Sequence, residues 1–131
     1  MVIANSRGRA SLGALVTELD DEVLTTSEYV AQHFVGARVV KALNHIPALD
    51  IAEHAQSAGT PERRALMVYG EDAAAVKRVE ALIEEIGFDA VHGGGLVESW
   101  RIQRDTPGYG PRFSASELAE KLSVARRYSD M

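Results

Sequence analysis

Residues 64–92 read RALMVYGEDAAAVKRVEALIEEIGFDAVH and carry the clearest structural signal in the chain. The apolar run at the start of this segment predicts a buried strand, and its last residues predict a second strand. Between them, apolar residues recur every three or four positions, which is the spacing of a helix with one buried face. Glu71 or Asp72 is expected to cap this helix and Gly87 to end it. A strand–helix–strand unit of this kind indicates an α/β fold.

The remainder of the chain continues the alternation of short apolar runs with helical spacing. Apolar runs followed by polar, turn-forming residues predict strands at 2–5 and 37–44. Three further helices are expected. One spans 11–19, one begins at a capping box of Thr25 and Glu28, and one begins at a second capping box of Ser114 and Glu117. A short helix is expected after Pro47, Trp100 is expected in the core, and the glycines 93–95 are expected to form a loop.

The composition fits one domain over residues 1–131 and excludes several classes of protein. A net charge of -5 argues against a general nucleic-acid binder, which would present a basic face. There is no cysteine, so disulfides, zinc–thiolate sites and cysteine nucleophiles are impossible. The apolar runs are far shorter than the ~20 residues needed to span a bilayer, so no membrane partner is expected. A cytoplasmic location is the default expectation.

Polar residues follow the strand predicted at 37–44. Asn44 and His45 come at its carboxyl end, where ligands bind in open α/β sheets. The alternative is that Asn44 only caps the following turn. His33 and His54 are expected to be solvated helix residues. No histidine has a metal-ligand spacing, and no residue stands out as catalytic.

The strand predicted at 2–5 ends in Asn5-Ser6-Arg7-Gly8. A hydroxyl, a guanidinium and a flexible backbone suit a phosphate monoester, because Arg offers a planar fork and Ser a short donor. The alternative is an ordinary surface turn with one arginine. No three glycines in the chain have the G-x-G-x-x-G spacing that brings a dinucleotide pyrophosphate to a helix N-terminus.

Five segments together resemble one enzyme family. Taken in chain order, they resemble the NADP-dependent oxidoreductases related to deazaflavin (coenzyme F-420) dependent NADP reductase, and they span most of the chain. The segments are VIANSRG at 2–8, ARVVKALNHI at 37–46, FDAV at 88–91, ESWR at 98–101 and TPGYG at 106–110.

This resemblance implies a Rossmann-like, doubly wound sheet that binds NADP(H). It implies that Ser6 and Arg7 hold the adenosine 2′-phosphate, which selects NADP over NAD. It also implies that Ala42, Asn44 and, less directly, His45 line the nicotinamide and deazaflavin side of the cleft. A deazaflavin coenzyme would then be the co-substrate.

The chain departs from the family pattern in two places. Family members have a strand, a glycine-rich turn and a helix before the segment that matches 2–8, and further strands before the segment that matches 19–21. The expected fold is therefore a partial Rossmann-like sheet that lacks the first glycine-rich βα unit. The strands at 2–5 and 37–44 would normally be separated, so at least one of them must find a new neighbour or leave an exposed edge.

Two functional hypotheses follow. The first is an NADP(H)-binding oxidoreductase that transfers hydride between NADP(H) and a deazaflavin or a small acceptor. The second is a non-catalytic remnant of that family, truncated at the N-terminus and internally, which acts through self-association or a partner. An unpaired edge on the strand at 37–44 further predicts a homodimer.

Overall fold

The computed structural model describes residues 2–4, 25–34, 36–127 and 130. The helix predicted at 11–19 lies outside these ranges, and so do Ser6 and Arg7. No helix within the described ranges is long and apolar enough to cross a membrane. The strands are β1 Val2–Ala4, β2 Val39–Lys41, β3 Ala65–Gly70 and β4 Asp89–Gly94. The helices are α1 Thr26–His33, α2 Ala48–Glu53, α3 Ala73–Ile86 and α4 Ala115–Ser123, with a 3-10 helix at Leu96–Ile102.

The four strands form one sheet in the order β1-β2-β3-β4. β1 runs parallel to β2, with Val2 opposite Val39 and Ala4 opposite Lys41. β2 runs antiparallel to β3, and β3 runs parallel to β4. Helix α3 connects the parallel strands β3 and β4, which need a crossover of this kind. The strand–helix–strand unit predicted from residues 64–92 is therefore confirmed.

Helices cover both faces of the sheet, because successive side chains along each strand point to opposite faces. One face packs against α3, with a core of Val40, Leu66, Val68, Val76, Val79 and Ile83. The other face packs against α1, the 3-10 helix and α4, with a core of Val39, Met67, Tyr69, Leu96, Ile102 and Leu118. This layered α/β arrangement is Rossmann-like, as expected, but it includes one antiparallel strand pair.

Helix α3 begins and ends where the sequence predicts. The Asp72 side chain accepts a hydrogen bond from the Ala75 backbone N–H at 2.8 Å. At the other end, Gly87 adopts a φ of 131°, a conformation that L side chains rarely adopt. A Cβ there would also lie 2.6 Å from the Ala55 Cβ. Glycine is required at this position because both the backbone angle and the close approach exclude a side chain.

Both predicted capping boxes are present. The Thr25 hydroxyl accepts from the Glu28 N–H at 3.1 Å, and the Glu28 carboxylate accepts from the Thr25 N–H at 2.9 Å. Ser114 and Glu117 are arranged in the same reciprocal way at the start of α4. The Thr25 hydroxyl also donates to the Leu96 carbonyl at 3.1 Å, which ties α1 to the 3-10 helix.

The strand predicted at 37–44 is shorter than expected, and its predicted edge is wrong. Leu43 has a φ of 60°, in the left-handed region, so the strand cannot continue through it. β2 lies between β1 and β3 and is paired on both sides. The strand at 2–5 has thus found a new neighbour in β2, and the described sheet has its edges at β1 and β4. β2 therefore has no unpaired edge, and the predicted homodimer loses the feature on which it was based.

The glycines at 93–95 do not form the predicted loop. Gly93 and Gly94 belong to β4, which extends beyond the predicted strand end at residue 92. A Cβ at Gly93 would lie 2.3 Å from the Tyr69 ring carbon Cε1. Gly93 is therefore explained by packing, because only glycine lets β4 lie directly against the tyrosine ring.

Candidate functional site

The parallel strands β1 and β2 end side by side, at the edge of the sheet formed by their carboxyl ends and not along one of its outer strands. Ala4, the last residue of β1, pairs with Lys41, the last residue of β2. The two segments singled out from the sequence follow directly: residues 5–8 after β1, and Ala42 to Pro47 after β2. Ser6 and Arg7 lie outside the described residues, so their predicted role remains a prediction. The candidate site is defined by this edge, where β1 and β2 end.

Asn44 belongs to the segment that follows β2, and it is 1% exposed. Its Nδ2 donates to the Ile102 carbonyl at 3.0 Å, so the side chain is fixed to the 3-10 helix. Its Oδ1 is buried and has no hydrogen-bond partner within the described ranges. An orphaned buried acceptor is costly and calls for a donor from water or a ligand. Ala42 is fully buried in the α3-side core, so only its backbone can face a ligand.

A small pocket of about 140 Å³ adjoins Asn44. It is bounded on one side by the segment after β2 and on the other by the turn at 106–110, two segments that the sequence singled out together. Its lining residues are Asn44, His45, Ile46, Pro47, Tyr109 and Gly110.

His45 is 2% exposed, and both of its ring nitrogens are used inside the protein. Its Nε2 accepts a hydrogen bond from the Met67 backbone N–H at 2.9 Å. Nε2 is therefore unprotonated, so Nδ1 carries the hydrogen and donates to the Gly108 carbonyl at 3.2 Å. Burial lowers the pKa of His45 to about 4, with Arg64 and Lys41 as nearby like charges. His45 thus shapes the pocket wall as a neutral ring, and neither nitrogen is free for a ligand.

Arg64 holds the two sides of the pocket together from a position that is 1% exposed. Its Nη2 donates to the carbonyls of Gly110 at 2.8 Å and Pro111 at 3.2 Å. Its Nη1 lies 3.3 Å from Asp50 Oδ2 and 2.9 Å from His54 Nδ1. His54 was expected to be a solvated residue, and it instead belongs to this cluster. The sequence signal was weak, because an arginine at the start of an apolar run looks like a surface residue.

Lys41 is a buried charged residue at the end of β2 that was not among the predicted site residues. It is 2% exposed, and burial lowers its pKa to about 8. It lies opposite Tyr69 of β3, and strand alternation puts it on the same sheet face as Val39. A lysine inside the apolar run Val39-Val40-Lys41-Ala42 was the available signal, because lysine is almost never fully buried without a partner.

Four of the five described helix N-termini already have carboxylates or hydroxyls at their free N–H groups, and α2 begins after Pro47 without a side-chain cap. Asp72 caps α3, and Glu71 Oε1 accepts from the Leu96 N–H at 2.9 Å at the start of the 3-10 helix. Capping boxes occupy the starts of α1 and α4. A phosphate needs free N–H donors and no nearby negative charge. None of these four helix starts therefore offers a pyrophosphate site.

The chain was compared with known proteins. No protein-family profile matches it. A protein of Escherichia coli (strain K12) with the printed name "Putative protein YjhV" is 35% identical over 69 residues, which are 53% of this chain and 50% of that protein. The chain thus spans about half the length of this curated relative.

Two solved structures are similar to this one. A hypothetical protein from Sinorhizobium meliloti matches with a TM-score of 0.68 and 27% identity, over 86% of this chain and 54% of that one. This match extends the same fold over most of the chain. A "putative F-420-dependent NADP reductase" from Arthrobacter sp. FB24 matches with a TM-score of 0.49 and 29% identity, over 57% of this chain and 33% of that one.

Proposed function

We propose that this chain binds NADP(H) where β1 and β2 end and serves hydride transfer to a deazaflavin or a small acceptor. Ser6 and Arg7 hold the 2′-phosphate, and the segment at Ala42, Asn44 and His45 borders the nicotinamide end. When bound, the cofactor supplies the hydride chemistry, and the protein supplies binding and orientation. A cytoplasmic location belongs to this proposal.

The parallel pairing of Ala4 with Lys41 is the observation that carries the proposal. Because of this pairing, the chain leaves β1 and β2 at the same edge of the sheet, whereas in the family pattern other strands separate the two. A chain extends by at most about 3.6 Å per residue, so the Arg7 Cα can be no more than about 11 Å from the Ala4 Cα. An extended ligand could therefore reach from the pocket beside Asn44 to Ser6 and Arg7, which the proposal requires.

The residues beside the pocket suit a nicotinamide carboxamide. Asn44 Oδ1 is a buried acceptor without a donor in the described part of the chain, and a carboxamide carries an N–H₂ donor. The Asn44 side chain is already fixed by its bond to Ile102, so binding would cost little side-chain entropy. His45 acts indirectly, by holding the Gly108 carbonyl and the turn at 106–110 against this segment.

Binding selectivity tests the proposal. Isothermal titration calorimetry of the full chain with NADPH and with NADH is expected to show tighter binding of NADPH, because NADPH alone carries the 2′-phosphate. Arg7→Ala should weaken NADPH binding by about tenfold or more and leave NADH unchanged, since one charge-assisted hydrogen bond is worth about 1.5–3 kcal/mol. Arg78→Ala, an exposed arginine on α3, is the matched control for net charge. Equal affinity of the wild type for both nucleotides would refute the proposal.

A non-catalytic role is the second candidate, and one observation favours it. Four of the five described helix starts are already capped by side chains, so these four provide no replacement for the glycine-rich turn that the sequence lacks. In this case the chain acts through self-association or a partner, and a strand-paired homodimer would have to form at the outer edge of β1 or β4. Light scattering after size exclusion distinguishes a dimer from a monomer, and an absence of heat with either nucleotide would favour this role.

A further inference from the structure

The outer face of helix α3 carries positive charges in its first half and negative charges in its second. Lys77 and Arg78 come first, Glu84 and Glu85 lie in the last turn, and all four residues are exposed. Ala81 lies between the two pairs and is also exposed. Arg78, Ala81 and Glu85 follow one another at intervals of three and four residues, so they form one stripe along the helix. The stripe faces away from the sheet, because the buried residues of α3 lie on its opposite side.

These charges are placed against the dipole of their own helix. The N-terminus of a helix is its positive end, where carboxylates are favourable, and the C-terminus is its negative end, where cations are favourable. Apart from the N-cap Asp72, α3 has no acidic residue in its first turn, and it has no basic residue in its last turn. Arg63 donates from Nη2 to the Glu84 carbonyl at 2.7 Å, but its Nη1 already pairs with Asp89 at 3.3 Å. The carboxylates of Glu84 and Glu85 therefore lie at an unfavourable end of the helix.

The same side of α3 exposes apolar surface beside the charges. Leu82 is 43% exposed and Ile86 is 37% exposed, and they adjoin Ala81 and Glu85 in the chain. Ala74 lies in the stripe one turn before Arg78 and is exposed as well. Small side chains such as alanine let a second helix approach closely, because the distance between packed helices depends on the side chains at the contact.

A second copy of α3 in antiparallel orientation matches this face. If a two-fold axis passes between Ala81 and Leu82, Arg78 of one copy lies opposite Glu85 of the second copy, and symmetry repeats the same pair on the other side of the axis. The antiparallel arrangement also brings the positive end of each helix dipole towards the carboxylates of the other copy. The charge order that is unfavourable within one helix thus becomes favourable between two.

We propose that the outer face of α3 is an interface through which two copies of this chain associate, with Arg78 of each copy paired with Glu85 of the other. A second copy fits better than a different protein, because a two-fold contact needs both members of a complementary pair on one face. This inference goes beyond the proposed function, since no residue of α3 lines the pocket beside Asn44. The 14 residues of α3 span about 21 Å, so one helix pair buries less than the ~800 Å² per partner of a standard interface, and the dimer should be weak.

Sedimentation velocity of the full chain between about 10 and 500 μM measures this association. The wild type is expected to change from monomer to dimer over this range and to dissociate as salt is raised, because salt screens exposed ion pairs. Arg78→Glu sets two carboxylates opposite each other at both symmetric contacts, and Glu85→Arg sets two guanidinium groups there. Each single variant should therefore dimerise at least about tenfold more weakly than the wild type, because like charges across an interface repel.

An equimolar mixture of the two single variants tests the pairing directly. In a mixed dimer both contacts again join opposite charges, so the mixture should assemble although neither variant does so alone. Assembly of the mixture also shows that both variants are folded. The double variant Arg78→Glu/Glu85→Arg keeps the net charge of the wild type and should dimerise like it. Glu120→Arg, at an exposed position on α4, changes the net charge as Glu85→Arg does and should leave the dimer unchanged.

Three results would overturn the inference. The first is a wild type that stays monomeric over the whole concentration range. The second is a dimer that persists equally in Arg78→Glu, as pairing at the outer edge of β1 or β4 would. The third is a mixture of the two variants that assembles no better than its components. None of these measurements involves a nucleotide, so their failure leaves the proposed function standing, and equal affinity for NADPH and NADH leaves the dimer standing.

Discussion

The His45 ring takes the place of a backbone acceptor in the sheet, because its Nε2 accepts the Met67 N–H at 2.9 Å. The antiparallel register pairs Lys41 with Tyr69, so the next ladder position would set Leu43 opposite Met67. Leu43 has left the strand with a φ of 60°, and its backbone is not available there. The imidazole thus satisfies a central strand N–H that would otherwise be buried without a partner.

This role makes stability depend on pH. The folded-state pKa of His45 is about 4, below the ordinary value of 6.5, so the fold favours the neutral ring. The unfolded chain takes up a proton below pH 6.5 and the folded chain does not until about pH 4, so stability falls between these values. The contribution is about 3 kcal/mol, present in full above pH 6.5 and lost by pH 4. Urea unfolding followed by circular dichroism across this range measures it.

A histidine variant separates this effect from general acid denaturation. His45→Ala should lower the free energy of unfolding at pH 7, because it leaves the Met67 N–H and the Gly108 carbonyl without partners, and should flatten the dependence between pH 6.5 and 4. His33→Ala removes an exposed histidine and should leave the wild-type slope unchanged. A His45→Ala slope as steep as that of the wild type would contradict this assignment.

Arg64 should contribute more to stability than an exposed arginine with a similar number of contacts. Arg64→Met leaves the carbonyls of Gly110 and Pro111 and the Asp50 carboxylate without their cation, and removing one partner of a buried ion pair costs about 3–5 kcal/mol. Arg112→Met is the control, since Arg112 is exposed, and its loss should cost under about 1 kcal/mol. Chemical denaturation gives both values, and similar losses would show that Arg64 does not act as a clamp.

A single methyl group at Gly93 should disturb the packing of β4 on β3. The added Cβ would lie 2.3 Å from the Tyr69 ring, so Gly93→Ala is expected to cost about 1–3 kcal/mol by overpacking. Gly108→Ala is the control, because its nearest contact is an ordinary 3.4 Å to Leu118 Cδ1. Thermal unfolding should give a lower melting temperature for Gly93→Ala alone, and equal melting temperatures would mean that the ring moves aside freely.

NADPH binding is expected to be weak even if it is selective. The sequence lacks the glycine spacing that brings a pyrophosphate to a helix N-terminus, and four of the five described helix starts are already capped by side chains. Compared with a protein that has the glycine-rich turn, this chain therefore lacks several charge-assisted hydrogen bonds to the pyrophosphate, each worth about 1.5–3 kcal/mol. We expect a Kd weaker than about 10 μM, which corresponds to roughly -7 kcal/mol. Tighter binding by calorimetry would show that another part of the chain replaces the glycine turn.

Much of the fold could be predicted from local patterns. The helix at Ala73–Ile86 and both capping boxes follow from residues within one or two turns of each other, and the structure has them where expected. The strand ends were less accurate. The left-handed Leu43 and the extension of β4 through Gly94 depend on neighbouring strands, which local sequence does not reveal.

The candidate site was predicted only in outline. The sequence identified the polar residues that follow the strands, but it did not show that both ring nitrogens of His45 are used inside the protein, or that His54 joins Arg64. The position of Lys41 inside an apolar run indicated burial, but only the structure distinguishes it from an exposed lysine such as Lys77. These distinctions depend on contacts between residues that are far apart in the chain.

The sequence by itself determined the α/β class, the bounds of the helix at Ala73–Ile86, the capped starts of two further helices and the absence of cysteine chemistry, because periodicity, capping and composition are local or global properties of the chain. The tertiary structure decided which strands are neighbours, since strand pairing joins residues that no local pattern links. By pairing Ala4 with Lys41, it placed the ends of two strands at one edge and buried a lysine beside them. Neighbouring parallel strands end on the same side of a sheet, and this pairing, which only the folded chain creates, is what makes that edge the candidate binding site.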